Sequence, residues 1–112
     1  MKVVAWNCRG LGSMQKLEVI KRFKSMDSAS ILLLQETKKT AEDSVVAIKI
    51  IWPKGAGFTT NASGASGGLL CWWNSDKFGM ISAIENRNWI LIKLETKKTK
   101  KNSGLGIYMA QP

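Results

Sequence analysis

Two short apolar runs bracket a helical stretch at the front of this sequence, and that arrangement restricts the fold more than any other feature. Lys2-Val3-Val4-Ala5-Trp6 is β-branched and apolar and reads as a buried strand. Ile31-Leu32-Leu33-Leu34 is continuously apolar, as expected of a strand covered on both faces. Between them, Ser13 is a good N-cap. Met14, Leu17, Ile20 and Phe23 then recur every three residues, which predicts an amphipathic helix to about Met26. Strand, helix and strand in about thirty-five residues make a βαβ unit, so the two strands are expected to be parallel.

Residues 41–51 are expected to form a second helix. It ends at Trp52-Pro53, because the residue before proline avoids the α region. Beyond it, Gly, Ser, Thr and Asn punctuate the runs Phe58–Thr60, Leu69–Trp73, Phe78–Ile84, Trp89–Leu94 and Leu105–Met109. These read as antiparallel strands joined by turns. The order βαβα followed by a meander is an α/β fold with a mixed sheet. Trp72 and Trp73 are adjacent on one strand and must point to opposite faces. One is expected in the core, the other against a missing layer, a base or water.

The length of 112 residues suits one domain. With 45% hydrophobic and 22% charged residues, the composition is globular. No apolar run reaches bilayer-spanning length, and the N-terminus has no secretory core, so no membrane association is expected. The expected location is intracellular, nuclear or cytoplasmic, with Cys8 and Cys71 as reduced thiols. Seventeen Lys and Arg against eight acids give +9, a balance that favours polyanions, with DNA the expected partner. The densest basic run, Lys97, Lys98, Lys100 and Lys101, either tracks phosphates or forms a solvated loop, and the loop is the plainer reading. Histidine is absent, which removes imidazole acid-base work, His-ligated metals and Ser-His or Cys-His pairs.

Asn7 ends the first strand and Glu36 the second. In α/β sheets, ligands gather outside the carboxyl ends of parallel strands. A carboxylate beside an amide oxygen suits Mg²⁺, which takes few protein ligands and keeps its waters. Taken from spacing alone, the plainer reading is a turn asparagine and a solvated glutamate. Glu95 also ends a strand, but Lys93 gives that strand a wet face, so Glu95 is expected in solvent. Gly10-Leu11-Gly12 resembles a dinucleotide turn in position, yet Gln15 stands where the third glycine belongs and no second parallel βαβ half follows. Tyr108, the single tyrosine, has a phenol able to donate to a phosphate oxygen.

Trp6-Asn7-Cys8-Arg9-Gly10-Leu11-Gly12, followed by Leu33-Leu34-Gln35-Glu36-Thr37, resembles the endonuclease/exonuclease/phosphatase superfamily. The Trp-Asn-Cys-Arg-Gly form is similar to the endonuclease domain of plant LINE-type retrotransposons. Ala65-Ser66-Gly67-Gly68-Leu69-Leu70 with Trp73-Asn74 resembles that family's central strand, and Tyr108 with Pro112 resembles its Asn-Val-Tyr-x-Pro strand. The resemblance implies a four-layer α/β sandwich of the DNase I-like kind and Mg²⁺-dependent hydrolysis of phosphodiesters. It makes Asn7 and Glu36 metal-site residues and Tyr108 an active-site tyrosine. Arg9, Lys38, Lys97 and Lys98 are the candidate nucleic-acid contacts.

The sequence departs from the family pattern in several places. Relatives of the abasic-site nuclease kind carry Asp two residues after the Asn, where this chain has Arg9. Gly106 replaces an Asn, and Pro112 follows Tyr108 by four residues, not two. The family's Asp-x-Asn and Ser-Asp-His motifs are not found; Ser75-Asp76-Lys77 imitates the second but is expected to be a turn. Residues 1–112 are therefore expected to be the N-terminal half of such a domain, without cleavage activity of their own. As most of one sheet and little of the other, they are expected to expose an apolar inner face and either self-associate or take a complementary C-terminal half. The alternatives are a non-catalytic basic module that binds nucleic acid or pairs with a protein, and a small-molecule phosphatase of the same superfamily.

Overall fold

The computed structural model describes residues 3–26, 31–63, 67–86, 89–97 and 104–110. The chain begins β1 (Val3–Asn7), α1 (Met14–Met26), β2 (Ile31–Gln35) and α2 (Ala41–Ile51). β3 (Gly55–Thr59), β4 (Leu69–Asn74), β5 (Phe78–Glu85), β6 (Trp89–Thr96) and β7 (Gly104–Ala110) follow. Both helices start where the caps place them. The Ser13 hydroxyl accepts from the Lys16 amide at 3.2 Å, and the Thr40 hydroxyl accepts from the Asp43 amide at 3.1 Å.

Four strands form one sheet in the order β1-β2-β4-β3, and β5-β6-β7 form a second, antiparallel sheet. β1 and β2 are parallel, with Val3 opposite Ile31 and Asn7 opposite Gln35. β4 runs antiparallel to β2, from Leu69 opposite Gln35 to Trp73 opposite Ile31. Among the described residues no second parallel crossover follows, which leaves the dinucleotide alternative without its second half.

The first sheet is the wall between two cores. On one side Leu32, Leu34, Leu70 and Trp72 pack with Leu17 and Ile20 of α1 and Ala47 and Ile48 of α2. On the other, Ile31, Leu69, Cys71 and Trp73 pack with Phe78, Ile90, Ile92, Leu94 and Ile107 of the second sheet. This corrects two expectations. Neither Trp72 nor Trp73 faces a missing layer, since both are buried, one in each core. The inner face from Ile31 to Leu34 and from Leu69 to Trp73 is not left open; the β5–β7 meander covers it, because its alternating residues 90, 92 and 94 present an apolar face of their own. The open part lies at β1, where Val3 and Ala5 remain exposed.

Two smaller differences have local causes. Met14 is exposed, so the buried stripe of α1 begins at Leu17. β3 starts at Gly55, earlier than its glycines suggest, because the Trp72 ring lies across it. A Cβ at Gly55 would strike the indole nitrogen, and one at Gly57 would strike the indole and the Cys71 carbonyl oxygen.

Candidate active site

The parallel register brings the candidate residues to one end of the sheet. Asn7 stands opposite Gln35, so the residue that follows, Glu36, leaves the sheet beside it. The ladder continues past the strand ends as loop-to-loop bonds. Cys8 N donates to the Gln35 carbonyl at 3.1 Å, Gly10 N to Glu36 at 2.7 Å, and Leu11 N to Thr37 at 2.9 Å. Across the other edge of this loop, Thr37 N donates to Gly68 at 3.1 Å and Lys38 N to Gly67 at 3.0 Å. Three loops are thus tied into one platform at the carboxyl ends of β1 and β2.

That platform holds the backbone in an unusual state. Arg9, Glu36 and Lys38 have φ of 50°, 54° and 56°, and they are the non-glycine residues of positive φ among those described. Such conformations cost on the order of 1–3 kcal/mol each and gather where a side chain must be aimed. Gly67 and Gly68 also have positive φ, and a Cβ on Gly68 would strike the Thr37 hydroxyl. Thr37 is fully buried, and its hydroxyl has no hydrogen-bond partner among the described residues.

The groups of interest at this end are the Glu36 carboxylate, the Asn7 amide and the cations of Arg9, Lys16 and Lys38. The Asn7 side-chain oxygen accepts from Arg9 N at 3.2 Å, which orients the amide and leaves its second lone pair. Lys16 reaches back from α1 and donates to the Arg9 carbonyl at 2.8 Å. The space above Gly10 is bounded by Lys16 Nζ and the Lys38 side chain. Lys16 is a cation at this end that motif reading does not single out. The available signal was local: the first turn of α1 holds no acid, and a lysine there opposes the helix dipole.

Beneath the platform Cys8 is buried, its Sγ 3.4 Å from the Gln35 carbonyl oxygen. Burial pushes its thiol pKa up, against smaller opposing effects from backbone hydrogen bonding and Lys16. Burial thus disfavours its thiolate form. Among the described residues, no three His, Cys, Asp or Glu side chains cluster as a metal cage. Asn7 and Glu36 nevertheless offer two hard oxygen donors at one end of the parallel pair, a set that fits a hydrated hard divalent ion better than a soft, thiolate-seeking metal.

The other expected residues lie elsewhere. Lys97 is not part of this group. It donates to the Ser75 carbonyl at 2.6 Å, at the turn that follows β4. That turn adjoins the start of β2, so roughly 15 Å of strand separates it from Glu36. Lys98 lies outside the described residues. Tyr108 stands opposite Leu91 in the second sheet, and its side chain also lies outside what is described. Ser75-Asp76-Lys77 is a turn, as expected, and Glu95 is exposed, as expected. An open cleft of about 260 Å³ lined by Trp52, Pro53, Lys54, Asn74 and Asp76 sits at that far end, away from the strained platform. Strain, oxygen donors and cations converge at the platform, which makes it the candidate site.

Two helices over a mixed sheet with a second sheet beneath define a layered α/β class. Solved structures of this shape agree. TDP2 from D. rerio, complexed with a single-strand DNA product, superposes with a TM-score of 0.69 at 12% identity, over 96% of this chain and 44% of that one. An endonuclease/exonuclease/phosphatase family protein from Bacteroides thetaiotaomicron gives 0.68 at 12% identity, over 95% and 49%. A mannosyl-6-phosphatase from the same organism gives 0.68 at 12% identity, over 95% and 50%. No protein-family model matches the sequence, and no curated protein does. The fold is therefore that of the endonuclease/exonuclease/phosphatase proteins, and the chain spans about half the length of the solved structures it resembles. No helix among the described residues is long and apolar enough to cross a membrane.

Proposed function

We propose that these 112 residues are the metal-binding half of a Mg²⁺-dependent phosphodiester hydrolase acting on DNA, and that by themselves they bind DNA without cutting it. The observation that supports this reading is the strained platform at the carboxyl ends of β1 and β2, which carries Asn7, Arg9, Glu36 and Lys38 and is reached by Lys16 from α1. Glu36 and Asn7 would hold the ion, which when bound supplies positive charge to a phosphate oxygen. Lys16, Lys38 and Arg9 would bind and orient the flanking phosphates, Arg9 taking the place where abasic-site nucleases carry a second carboxylate. Phosphoryl transfer needs charge positioned all round the phosphate. The sequence offers no histidine for that task, and the Tyr108 phenol remains a proposed donor. Kinship with LINE-type retrotransposon endonucleases, carried by Trp6-Asn7-Cys8-Arg9-Gly10, belongs to the same proposal, as does an active domain completed by a C-terminal half.

The test is supercoiled plasmid with Mg²⁺, using the chain and its Glu36→Ala variant. Retarded but uncut plasmid is expected from both. Nicking that Glu36→Ala abolishes would overturn the claim of inactivity while supporting the site. In parallel, Mg²⁺ titration by NMR is expected to move residues around Glu36 and Asn7 first, with millimolar affinity on the order of weak oxygen-ligand sites. Shifts centred on Asp76 or Glu95 would remove the site assignment. The platform's three cations favour this reading over a small-molecule phosphatase, since a polymer offers several phosphates at once.

A further inference from the structure

A left-handed backbone at a glutamate needs an outside cause. Glycine and asparagine take that state readily, whereas a glutamate persists in it only where its neighbours over-determine it. Glu36 has φ of 54° and Lys38 φ of 56°, with Thr37 between them. On the β1 side, the Glu36 and Thr37 carbonyls accept from Gly10 N at 2.7 Å and Leu11 N at 2.9 Å. On the β4 side, Thr37 N and Lys38 N donate to the Gly68 and Gly67 carbonyls at 3.1 and 3.0 Å. This second pair of bonds requires a close approach of residues 67–68 to residues 36–38, and the approach has a steric condition. Gly68 is buried with φ of 89°; a Cβ on it would strike the Thr37 hydroxyl and lie 3.4 Å from Lys38 N. The Thr37 side chain takes the space that Gly68 leaves. Thr37 is fully buried, and among the described residues its hydroxyl has no hydrogen-bond partner. Buried hydroxyls are normally satisfied, so hydrogen bonding among those residues does not account for this one, whereas its fit against Gly68 does.

We propose that Thr37 and Gly68 form a steric lock that holds the Glu36 backbone left-handed and so positions its carboxylate at the end of the parallel pair. Both are positioning residues. Neither is assigned a contact with substrate or ion, and each acts through Glu36. Three features select this pair within the platform. Thr37 adjoins the residue it aims. The 67–68 loop lies across residues 36–38 from the Gly10 turn, so the segment is held from two sides. The two halves also match in shape, with bulk at Thr37 against a missing Cβ at Gly68. A side chain at position 68 would part the two loops, break the bonds from Thr37 N and Lys38 N, and let Glu36 return to an ordinary backbone state. That the carboxylate so aimed holds an ion rests on the proposed function; the lock does not.

The experiment uses the 112-residue chain with Thr37→Val, Thr37→Ala, Gly68→Ala and the double variant Thr37→Ala/Gly68→Ala. Three-bond couplings at Glu36 report the sign of φ. Hydrogen exchange at the amides of residues 10, 11, 37 and 38 reports the loop-to-loop bonds, and exchange in β6 reports global stability. Both are read without metal. Thr37→Val keeps the outline of the side chain and should leave the positive φ in place and exchange within about twofold of the parent. Thr37→Ala removes that bulk and should speed the platform amides about tenfold, with β6 within about twofold. Gly68→Ala carries a left-handed cost in any background, so the contact is read from the difference between two backgrounds. With Thr37 present it should abolish the positive φ at Glu36. In the Thr37→Ala background, where Lys38 N at 3.4 Å is an ordinary neighbour, it should change exchange by no more than about twofold beyond Thr37→Ala alone. Titration with Mg²⁺ should show Gly68→Ala weakening binding about tenfold, the loss typical when an outer support of a ligand is removed. The lock is overturned if Thr37→Val disturbs the platform as much as Thr37→Ala, or if Thr37→Ala leaves the platform amides unchanged. It is also overturned if Gly68→Ala acts equally in both backgrounds, or if β6 exchange rises together with the platform. If Gly68→Ala does not fold, Thr37→Val against Thr37→Ala decides alone. If the parent takes no Mg²⁺ near Glu36, the proposed function fails, and the couplings and exchange still decide the lock.

Discussion

Cys71 lies in the middle of β4, fully buried between the first sheet and the second. Burial alone lifts its thiol from 9.0 to about 12. The folded state therefore holds its proton more tightly than the unfolded chain does. The associated stability is complete below pH 9 and is lost as pH rises through the folded value near 12. At about 1.4 kcal/mol per unit, the loss approaches 4 kcal/mol at the top of that window. Melting temperatures measured from pH 8 to pH 11 should fall with pH, and Cys71→Val should fall less steeply because it has no thiol to titrate. Equal slopes would show that Cys71 is not the group responsible. Thiol reagents at pH 8 should leave Cys71 untouched until the chain unfolds.

The close contact between β3 and the Trp72 ring sets the next expectation. Gly57→Ala puts a methyl group against the indole and the Cys71 carbonyl oxygen, neither of which can yield without moving β4. Overpacking of this kind costs about 1–3 kcal/mol, and urea unfolding should read it as a lowered midpoint with an unchanged slope. A neutral outcome would mean that β3 peels away from β4 at no cost. The same contact explains one gap in what the sequence disclosed. Gly55 and Gly57 argue against a strand on propensity, and only the partner strand's tryptophan gives the reason to form one. Both helices, β1, β2 and the parallel pairing were legible, because Ser13, Pro53 and the apolar runs act within a few residues of where they are read. That Asn7 and Glu36 leave the sheet at the same end of the parallel pair was legible for the same reason. Lys16 was not, since its role depends on a lysine reaching back over the Gly10 turn to the Arg9 carbonyl. Nor was the second sheet's coverage of Leu69 and Trp73, which requires knowing that the meander folds back beneath β4.

With an apolar core on each face of the first sheet, the molecule should unfold as one unit. A single cooperative melt, coincident by circular dichroism and tryptophan fluorescence, is the expected result. Two separated transitions would show that the helical layer and the second sheet are held independently. The nucleic-acid binding proposed for this chain would also be a property of the whole charge distribution. With Arg9, Lys16 and Lys38 each meeting a phosphate, the slope of log affinity against log salt should be near three times 0.9, or about 2.7 on duplex DNA. Lys16→Gln should lower that slope by about one, and Lys97→Gln, at the far end of the sheet, should leave it nearly unchanged. A flat response to salt would reduce the charge of +9 to a solvated surface.

The left-handed residues of the platform also bear on how this sequence drifts. Glycine adopts the backbone of Arg9, Glu36 and Lys38 without steric cost, and asparagine nearly so. Random mutation filtered only for a folded product would let those positions relax toward glycine and asparagine, and the protein would gain robustness by doing so. Mutation filtered for grip on a phosphate or an ion would hold the arginine, the glutamate and the lysine in place against that gain. Parallel libraries passed through the two filters would therefore diverge at positions 9, 36 and 38 before they diverge in either core.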